Sequence, residues 1–322
     1  MNILVTGGAG YIGSHTAKLL AQNKHTPISF DNLDRGHEWA VKWGPLVCGD
    51  LGDRELVMQT IRQHKIEAVI HFAAHSQVGE SMEKPEIYFR NNVINTLTLL
   101  EAIHTTGVRY IVFSSSAAVY GNPEKSPIEE SHPRQPINPY GESKAFVENM
   151  LYWYGVAHGL KWSALRYFNA AGADSDTEIG EDHTPESHLI PLVIQALLGK
   201  RPHIGIFGTD YDTPDGTAIR DYIHVTDLAD AHLKALEYLQ QGGESTVFNL
   251  GTGNGYSVRD VIQSAERVSG KKIPVKETPR RAGDPPVLVA SSAKAKKILK
   301  WKPQYSDLDT IMKTALRWHE KH

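Results

Sequence analysis

Cysteine is nearly absent from this chain of 322 residues, since Cys48 is the only one. A lone cysteine cannot form an intramolecular disulfide, and a reducing compartment is the natural setting for such a sequence. Long apolar runs are also missing, and the first residues lead into Ile3-Leu4-Val5 without a basic segment. We therefore expect a cytoplasmic protein with no membrane span.

Neither sign of charge is in large excess. The formal net charge is −3, which argues against nucleic acid or an anionic membrane surface as a partner. The sequence contains no His-Glu-x-x-His, Cys-x-x-Cys or Gly-x-Ser-x-Gly pattern, which argues against a nucleophilic serine of the hydrolase type. His71 and His75 lie at the end of a predicted strand rather than on a helix, so we expect no catalytic metal.

A glycine-rich loop is the first strong motif that the sequence does contain. An apolar run that ends at Val5 precedes Thr-Gly-Gly-Ala-Gly-Tyr-Ile-Gly, and a helical pattern follows to about Asn23. In this strand–loop–helix order, Gly7 permits the tight turn, Gly10 lets the backbone approach a pyrophosphate, and Gly13 lets the helix pack on the strand. The positive end of the helix favours the phosphates. The pattern therefore predicts a dinucleotide-binding site.

An acidic residue follows the second predicted strand, Pro27–Phe30. This residue, Asp31, lies 18 residues after Gly13. A carboxylate in this place would bind the adenosine ribose hydroxyls and repel a 2′-phosphate, which favours NAD over NADP. Arg35 weakens that preference, because a nearby guanidinium can accept the phosphate. The alternative is that Asp31 only caps its own loop.

Apolar strands and helical patterns alternate as far as residue 121, which is typical of a doubly wound parallel α/β sheet. Further strands are predicted at Leu46–Cys48, Ala68–Ala74 and Tyr110–Phe113, and helices at 54–64 and 91–106. The alternation becomes looser after a strand at Trp162–Arg166. We expect a Rossmann-type domain in residues 1–170, with a return segment in 222–250, and a smaller C-terminal α/β substrate domain in 171–322.

Tyr140 and Lys144 are four residues apart at a predicted helix start, with Asn138 as the N-cap and Pro139 in the first turn. On a helix, the two side chains share one face. We predict that the ammonium lowers the pKa of the phenol, so that Tyr140 can take up and return a proton. Ser116 leaves the predicted strand that precedes it, and a helix beginning near Tyr140 would bring the hydroxyl, the phenol and the ammonium together.

Three segments carry a resemblance to a known family: the glycine-rich loop, Ser-Ser-Ser-Ala-Ala-Val-Tyr-Gly over residues 114–121, and Asn-Pro-Tyr-Gly-Glu-Ser-Lys over residues 138–144. Together they resemble the extended short-chain dehydrogenase/reductase family, in particular its nucleotide-sugar 4-epimerases. Further matches, of which Arg220–Asp230 is the most specific, continue in order through nearly the whole chain. The resemblance implies an isomerase of galactose metabolism that interconverts UDP-galactose and UDP-glucose through a 4-keto intermediate, holds NAD tightly and forms a homodimer.

The resemblance also implies roles for individual residues. Tyr140 would remove the proton from the sugar 4′-hydroxyl, Ser116 would hydrogen-bond the same oxygen, and Lys144 would bind the nicotinamide ribose. The residues expected to bind the cofactor are Gly7, Gly10, Tyr11, Ile12, Gly13, Asp31, Asn32, Asp50, Leu51, Phe72, Ala73, Ala74, Ser76, Asn91, Ser114, Tyr140, Lys144 and Phe168. Those expected to bind the UDP-sugar are Ser116, Tyr140, Asn169, His188, Leu189, Gly205, Ile206, Phe207, Arg220, Arg281, Asp284 and Leu288.

Three positions depart from well-known members of the family. Ser76 stands where some carry a lysine that reaches the cofactor, and His188 stands where some carry an asparagine near the substrate phosphates. Leu288 stands where some carry a bulky tyrosine. We expect the smaller Leu288 to leave room for an N-acetyl group at C2 of the sugar.

Other functions share part of this pattern. A 4-epimerase for UDP-N-acetylglucosamine, or for a UDP-pentose or UDP-uronate, would carry the same motifs. A nucleotide-sugar 4,6-dehydratase would need an acid–base pair directly after the active-site serine, where this chain has Ala117-Ala118. A non-enzymatic NAD-binding protein would be marked by the loss of Tyr140 or Lys144, and a reductase by a cofactor that does not copurify.

Overall fold

The computed structural model describes residues 1–280 and 285–322. Its strands are β1 (Asn2–Thr6), β2 (Thr26–Asp31), β3 (Leu46–Cys48), β4 (Ala68–His71), β5 (Tyr110–Ser114), β6 (Lys161–Arg166), β7 (Asn169–Ala171), β8 (Ile204–Phe207), β9 (Ile219–Arg220), β10 (Tyr222–His224), β11 (Thr246–Asn249), β12 (Tyr256–Ser257), β13 (Val275–Thr278) and β14 (Val287–Leu288). Its helices are α1 (Tyr11–Gln22), α2 (Arg54–Gln63), α3 (Val78–Glu83), α4 (Pro85–Tyr88), α5 (Asn95–Thr106), α6 (Pro139–His158), α7 (Leu189–Leu197), α8 (Val225–Gln240), α9 (Val258–Ser269), α10 (Ala293–Ile298) and α11 (Leu308–Lys321).

A parallel sheet forms the centre of the fold. Within the described residues, seven strands pair in the order β11-β6-β5-β4-β1-β2-β3, and every pairing in this sheet is parallel. Its central strands are apolar and buried because helices cover both faces. The strand order reverses between β1 and β4, and ligands of open α/β sheets bind at such a switch point, beyond the carboxyl ends of the strands.

Two layers of helices bury the sheet. One core cluster joins β1, β4 and β5 to apolar side chains of α2, α5 and α6. The other joins the opposite face to α1, α8 and α10. The predicted Rossmann-type doubly wound α/β sheet is therefore confirmed, and β11 and α8, in the predicted return segment, belong to this sheet and its helical layer.

A third core cluster lies in the C-terminal part of the chain. It gathers apolar side chains of α7, α9 and α11 with Ile204 and Ile206 of β8. Short strands pair around it as β7 with β10, β8 with β13, and β9 between β12 and β14. The pairing of β9 with β14 places Leu288 beside Arg220. None of the described helices is long and apolar enough to cross a membrane.

The strand that begins at Ala68 is shorter than predicted. The sequence pattern extends it to Ala74, but β4 ends at His71. The N–H groups of Phe72 and Ala73 both donate to the Thr6 carbonyl, at 2.9 and 3.1 Å. Because two donors share one acceptor, the chain leaves the regular ladder and curls over the end of β1.

Candidate active site

The first turn of α6 holds Tyr140 against the end of β5. The Asn138 side chain accepts a hydrogen bond of 2.8 Å from the Gly141 N–H, and Pro139 occupies the first turn, so the predicted helix start is confirmed. A Cβ on Gly141 would lie 2.6 Å from the Ala118 carbonyl oxygen. A glycine at this position therefore lets α6 pack directly on the turn that follows Ser116.

Ser116, Tyr140 and Lys144 come together at this contact. The buried Ser116 hydroxyl accepts from the Ala118 N–H at 3.1 Å and hydrogen-bonds the Tyr140 phenol. Lys144 is buried, and its Nζ donates to the Ser114 carbonyl at 2.8 Å. That Nζ lies 5.9 Å from the centroid of the Tyr140 ring. A half-buried phenol, a buried hydroxyl and a buried amine therefore lie together at the end of β5.

The electrostatics of this group differ from the sequence expectation. Burial raises the pKa of Tyr140, and the hydrogen bond from Ser116 only partly opposes this. Burial also lowers the pKa of Lys144 to about 7, against a weaker opposing effect of Glu148. The predicted lowering of the Tyr140 pKa by Lys144 is wrong for the chain by itself, because the same burial that removes water from the phenol also weakens the charge on the amine.

A buried acid behind Lys144 was not found by sequence reasoning. Glu148 lies one helical turn after Lys144 and accepts from Ser115 Oγ at 2.6 Å. Arg166 of β6 binds both Glu148 oxygens, at 2.8 and 2.5 Å, and Arg134 adds a contact of 3.1 Å. The spacing of Tyr140, Lys144 and Glu148 at four-residue steps was the available signal. This ion pair ties α6 to β5 and β6 next to the site.

A π-helical turn at Phe89–Ile94 supports the other side of α6, where the sequence predicted a regular helix from residue 91. Asn92 in this turn is buried and clamps His75, with its Oδ1 accepting from the His75 N–H at 2.9 Å and its Nδ2 donating to the His75 carbonyl at 3.0 Å. The same Nδ2 donates to Ser143 Oγ at 3.0 Å. The neighbouring Asn91, a predicted cofactor residue, donates to Asn92 at 3.0 Å. Such turns are frequent at functional sites.

The glycine loop follows β1 at the switch point. Gly7 has φ +71°, and a Cβ on it would lie 2.6 Å from the Ala73 nitrogen. A Cβ on Gly13 would lie 2.1 Å from the Gly7 carbonyl oxygen. A Cβ on Gly10 would meet only that same oxygen, at 3.3 Å, so the space above Gly10 is open. No side chain caps the start of α1, and its N–H groups are left to meet an anion, as a dinucleotide phosphate requires.

The predicted ribose-binding acid is close to this loop. Asp31 ends β2, and its carboxylate accepts from the Ala9 N–H at 3.0 Å and from the Leu33 N–H at 2.9 Å. Burial raises its pKa, and these two bonds oppose the rise. Asp31 thus caps its loop, and each of its oxygens keeps a further lone pair for a ligand. Asn32 donates to Asp50 at 3.1 Å, which places these two predicted residues side by side.

The remaining predicted cofactor residues differ in exposure. Leu51 is buried in the core below the sheet edge, and Ser76 is exposed. Phe72 packs on His232 with 4.6 Å between the ring centroids. The Tyr11 hydroxyl donates to the Gly172 carbonyl at 2.6 Å. Of the rest, Ile12, Ala73, Ala74 and Phe168 are half-buried, and the Ser114 hydroxyl shares a hydrogen bond of 2.6 Å with the hydroxyl of Tyr167.

Several predicted substrate residues border the same pocket wall. Phe168 and Leu288 pack on the small cluster that contains Ala117 and Ala145, directly beside the turn after Ser116. Leu288 is paired with Arg220 in the register of β14 and β9. Asn169 donates from its side chain to the Asp221 carbonyl at 3.0 Å. The hydrophobic cluster thus places Leu288 next to the catalytic candidates.

Other predicted substrate residues lie farther along the chain. Leu189 is the first residue of α7, and Gly205, Ile206 and Phe207 belong to β8. Ile206 is buried in the third core cluster, whereas Phe207 is exposed. Arg281 and Asp284 lie outside the described residues.

The chain matches the NAD dependent epimerase/dehydratase family over residues 3–251. It is 52% identical, over 100% of its length and 96% of the relative, to a UDP-glucose 4-epimerase of Halalkalibacterium halodurans. The crystal structure of UDP-glucose 4-epimerase from Brucella ovis in complex with NAD superposes with a TM-score of 0.97, at 52% identity over 98% of this chain and 97% of that chain. The UDP-Glc/GlcNAc 4-epimerase of Campylobacter jejuni has a TM-score of 0.88, at 42% identity over 100% of this chain and 99% of that chain.

The chain belongs to the NAD dependent epimerase/dehydratase family.

The predicted substrate residue His188 has acidic neighbours in this epimerase/dehydratase family member, whereas the sequence led us to expect it near the substrate phosphates. Its Nδ1 lies 2.9 Å from a carboxylate oxygen of Glu181 and 2.9 Å from one of Glu186. His183 faces the same two acids, at 3.2 and 3.8 Å.

These acids shift the pKa values of both histidines. Although burial acts against the charged rings, the contacts with Glu181 and Glu186 raise the pKa of His183 to about 9 and that of His188 to about 10. Sequence reasoning tested only His71 and His75 for such a cluster. The alternation Glu-Asp-His-Thr-Pro-Glu-Ser-His over residues 181–188 was the signal that could have found it.

Proposed function

We propose that this chain interconverts UDP-galactose and UDP-glucose with tightly bound NAD. The observation that carries the proposal is the meeting of Ser116, Tyr140 and Lys144 at the carboxyl edge of a parallel sheet whose first strand ends in the glycine loop. The full-length identity of 52% to a named UDP-glucose 4-epimerase supports the same activity. Its reaction class is NAD-dependent 4-epimerisation of a nucleotide sugar.

Each residue of the group has one step in the mechanism. Tyr140 removes the proton from the sugar 4′-hydroxyl while C4 is oxidised to a ketone, and it returns the proton when the ketone is reduced on its opposite face. Ser116 hydrogen-bonds the same oxygen and shortens the path of the proton. Lys144 holds the nicotinamide ribose and adds positive charge to the region when it is protonated. Bound NAD supplies the hydride acceptor and the hydride donor for the two half-reactions.

The cofactor and the sugar nucleotide occupy two parts of the chain in this proposal. Residues 1–170 together with 222–250 bind NAD, with the phosphates above Gly10 and the adenosine ribose at Asp31. Residues 171–322 bind the UDP-sugar, with Asn169 and Arg220 at the border between the two parts. The packing of Leu288 on the cluster that contains Ala117, directly after Ser116, supports a sugar site at that border.

Leu288 bears on which sugar the pocket accepts. The side chain packs, as Phe168 does, on the cluster that contains Ala117, and it is smaller than a tyrosine. The Campylobacter jejuni relative is named for both UDP-Glc and UDP-GlcNAc. We expect the chain to turn over UDP-N-acetylglucosamine beside UDP-glucose, and a complete lack of turnover of the acetylated sugar would contradict this.

A 4,6-dehydratase is disfavoured, because the side chains of Ala117 and Ala118 offer no proton donor or acceptor after Ser116.

The purified protein tests the proposed reaction directly. Incubated with UDP-galactose and no added cofactor, it should form UDP-glucose until the two reach equilibrium, and NAD should be released from the protein on denaturation. Formation of a 4-keto-6-deoxy sugar would identify a dehydratase instead. A requirement for added NAD in stoichiometric amounts would identify a reductase with a releasable cofactor.

A homodimer is part of the proposal and has support in one surface. Helices α5 and α6 pack side by side on the sheet, and their outer face exposes Leu97, Phe146, Trp153 and Val156, with Ile94 exposed in the turn just before α5. On α6 the exposed apolar residues fall at spacings of seven and three, which is one stripe of a helix. The same face of a second copy would cover this stripe and form a bundle of four helices.

The lone, exposed and reduced Cys48 fits the proposed cytoplasmic location.

A further inference from the structure

Four side chains of the segment that leads into α7 converge on one point. Glu181, His183, Glu186 and His188 each offer a ligand atom, and these atoms all lie within 4.8 Å of one another. The N···O separations measured between the two histidines and the two acids are 2.9, 2.9, 3.2 and 3.8 Å. The cluster is mixed, with two nitrogen and two oxygen donors.

The hydrogen bonds within the cluster leave one buried ring nitrogen without a partner. The Nδ1 of His183 is buried and has no hydrogen bond, although a Glu181 oxygen lies 3.2 Å away. Glu186 uses Oε1 to accept from the N–H groups of Ser187 and His188, both at 2.7 Å, while its Oε2 faces His183 at 3.8 Å. Only about 5% of the Glu181 side chain and 6% of the Glu186 side chain are exposed. Two buried carboxylates are stabilised only by positive charge at close range, which either protonated His183 and His188 or a bound cation can supply.

We propose that Glu181, His183, Glu186 and His188 bind one zinc ion. Four ligands at about 2.1 Å from a tetrahedral zinc lie roughly 3.4 Å from one another, and the four measured separations bracket that value. Two imidazole nitrogens select zinc and its transition-metal neighbours over magnesium and calcium, which prefer oxygen ligands alone. Both histidines face the two carboxylates, and so the proposed zinc position, with Nδ1.

The position of the site gives the ion a structural role. His183 contacts Tyr11 at the start of α1, with 6.3 Å between the ring centroids. The Glu181 carbonyl accepts from the Trp318 indole of α11 at 3.0 Å. His188 is the N-cap of α7. The ion would therefore hold together the start of α1, the start of α7 and the end of α11. This site goes beyond the proposed epimerisation, in which no step uses a metal.

Cobalt(II) is the probe that tests the site. Protein that has been dialysed against a chelator and then titrated with cobalt(II) should develop the visible absorption bands of tetrahedral cobalt at one equivalent per chain, and added zinc should abolish them. The His183→Gln variant should lose these bands. The Asp176→Asn variant is the matched control, because Asp176 belongs to a nearby acidic group that is paired with Lys18 at 3.4 Å. It should keep them.

A second measurement covers the case in which His183→Gln does not fold. Zinc, but not magnesium, should raise the melting temperature of the dialysed, unsubstituted protein. The proposal is overturned if that protein binds cobalt without tetrahedral bands, binds none, or keeps its bands in folded His183→Gln. The four residues would then be an ion-pair network of protonated histidines and carboxylates. None of these readouts depends on epimerase activity, so they stay separate from the test of the proposed function.

Discussion

Tyr140 is the residue on which the proposed proton transfer depends. Its hydroxyl meets Ser116, and burial keeps its pKa above the ordinary value of a phenol. A group with this pKa holds its proton at neutral pH in the free protein, so it needs added positive charge from Lys144 and the bound cofactor before it can act as a base. The chemistry is therefore a property of the assembled complex.

Replacing Tyr140 by phenylalanine should lower kcat for UDP-galactose by about 10²-fold or more, since general acid–base catalysis contributes on that scale. The NAD content of the purified variant should stay close to that of the parent protein. Tyr305→Phe, on an exposed tyrosine away from this pocket, is the control and should keep full activity. Undiminished epimerisation by Tyr140→Phe would remove the basis of the proposed mechanism.

Lys144 should make the stability of the NAD-free protein depend on pH. Its pKa is about 7 in the folded protein, against an ordinary value of 10.5. The unfolded chain therefore binds more protons between these values, and stability rises with pH across that range. The energetic cost of burying Lys144 is fully present below pH 7 and disappears above pH 10.5.

The variant Lys144→Met removes the energetic cost of burying a charged amine, and it should also abolish epimerase activity. Its free energy of unfolding should exceed that of the parent protein at pH 6. The difference should shrink by roughly 3 kcal/mol between pH 6 and pH 9, as the size of the pKa shift implies. Urea unfolding of both NAD-free proteins at the two pH values measures it. A difference that stays constant between pH 6 and pH 9 would show that Lys144 remains charged in the folded protein.

Among the elements, the glycine loop and α1 carry the cofactor proposal. Gly7 and Gly13 are needed for packing, since a Cβ on either would collide with backbone. Gly10 is different, because a Cβ there would meet a single backbone oxygen at 3.3 Å and otherwise open space. A substitution at Gly10 thus separates the binding of phosphates from the folding of the loop.

Gly10→Ala should leave the melting temperature of the NAD-free protein nearly unchanged but lower its NAD content and affinity by about tenfold or more, because the methyl group stands where a pyrophosphate would approach. Fluorescence of bound NADH and extraction of the cofactor measure the change. Gly79→Ala, on the exposed surface of α3 with no atom near the added Cβ, is the control. A Gly10→Ala protein that retains its full NAD content would place the phosphates elsewhere.

For the whole molecule, the outer face of α5 and α6 is the feature that a single chain leaves unexplained. Trp153 and Val156 are 63% and 62% exposed, and apolar side chains in such a contiguous group mark an interface more often than a free surface. Two copies that meet through this face would bury both stripes around a two-fold axis.

Trp153→Glu should convert the proposed dimer to a monomer, because a charged side chain at the centre of the stripe cannot be desolvated without a partner. Sedimentation of both proteins measures the change, which should reach at least tenfold in the dimer dissociation constant. Val275→Glu places the same charge on an exposed apolar residue of β13, and it should leave the dimer intact. A parent protein that sediments as a monomer at all concentrations would exclude this interface.

Local pattern was sufficient for much of the fold. Apolar runs and helical periodicity predicted most strands of the central sheet and several of the helices, and Asn138 and Pro139 located the start of α6. The short strands of the C-terminal part, such as β9 and β14, were not predicted. The π-helical turn at Phe89–Ile94 was missed, because its cause is the contact of Asn92 with His75 and Ser143 rather than the sequence of the turn. The strand that begins at Ala68 was predicted too long, because the bonds from Phe72 and Ala73 to the Thr6 carbonyl that end it join distant segments of the chain.

By itself, the sequence determined the alternation of strands and helices, the glycine loop and the spacing of Tyr140 and Lys144, because these depend on residues a few positions apart. Only the tertiary structure placed Glu148 against Arg166, packed Leu288 on the cluster that contains Ala117, and gathered the side chains of Glu181, His183, Glu186 and His188 at one point. It also reversed the expected shift in the pKa of Tyr140. Such properties depend on burial and on contacts between distant segments, and these exist only once all the elements have packed.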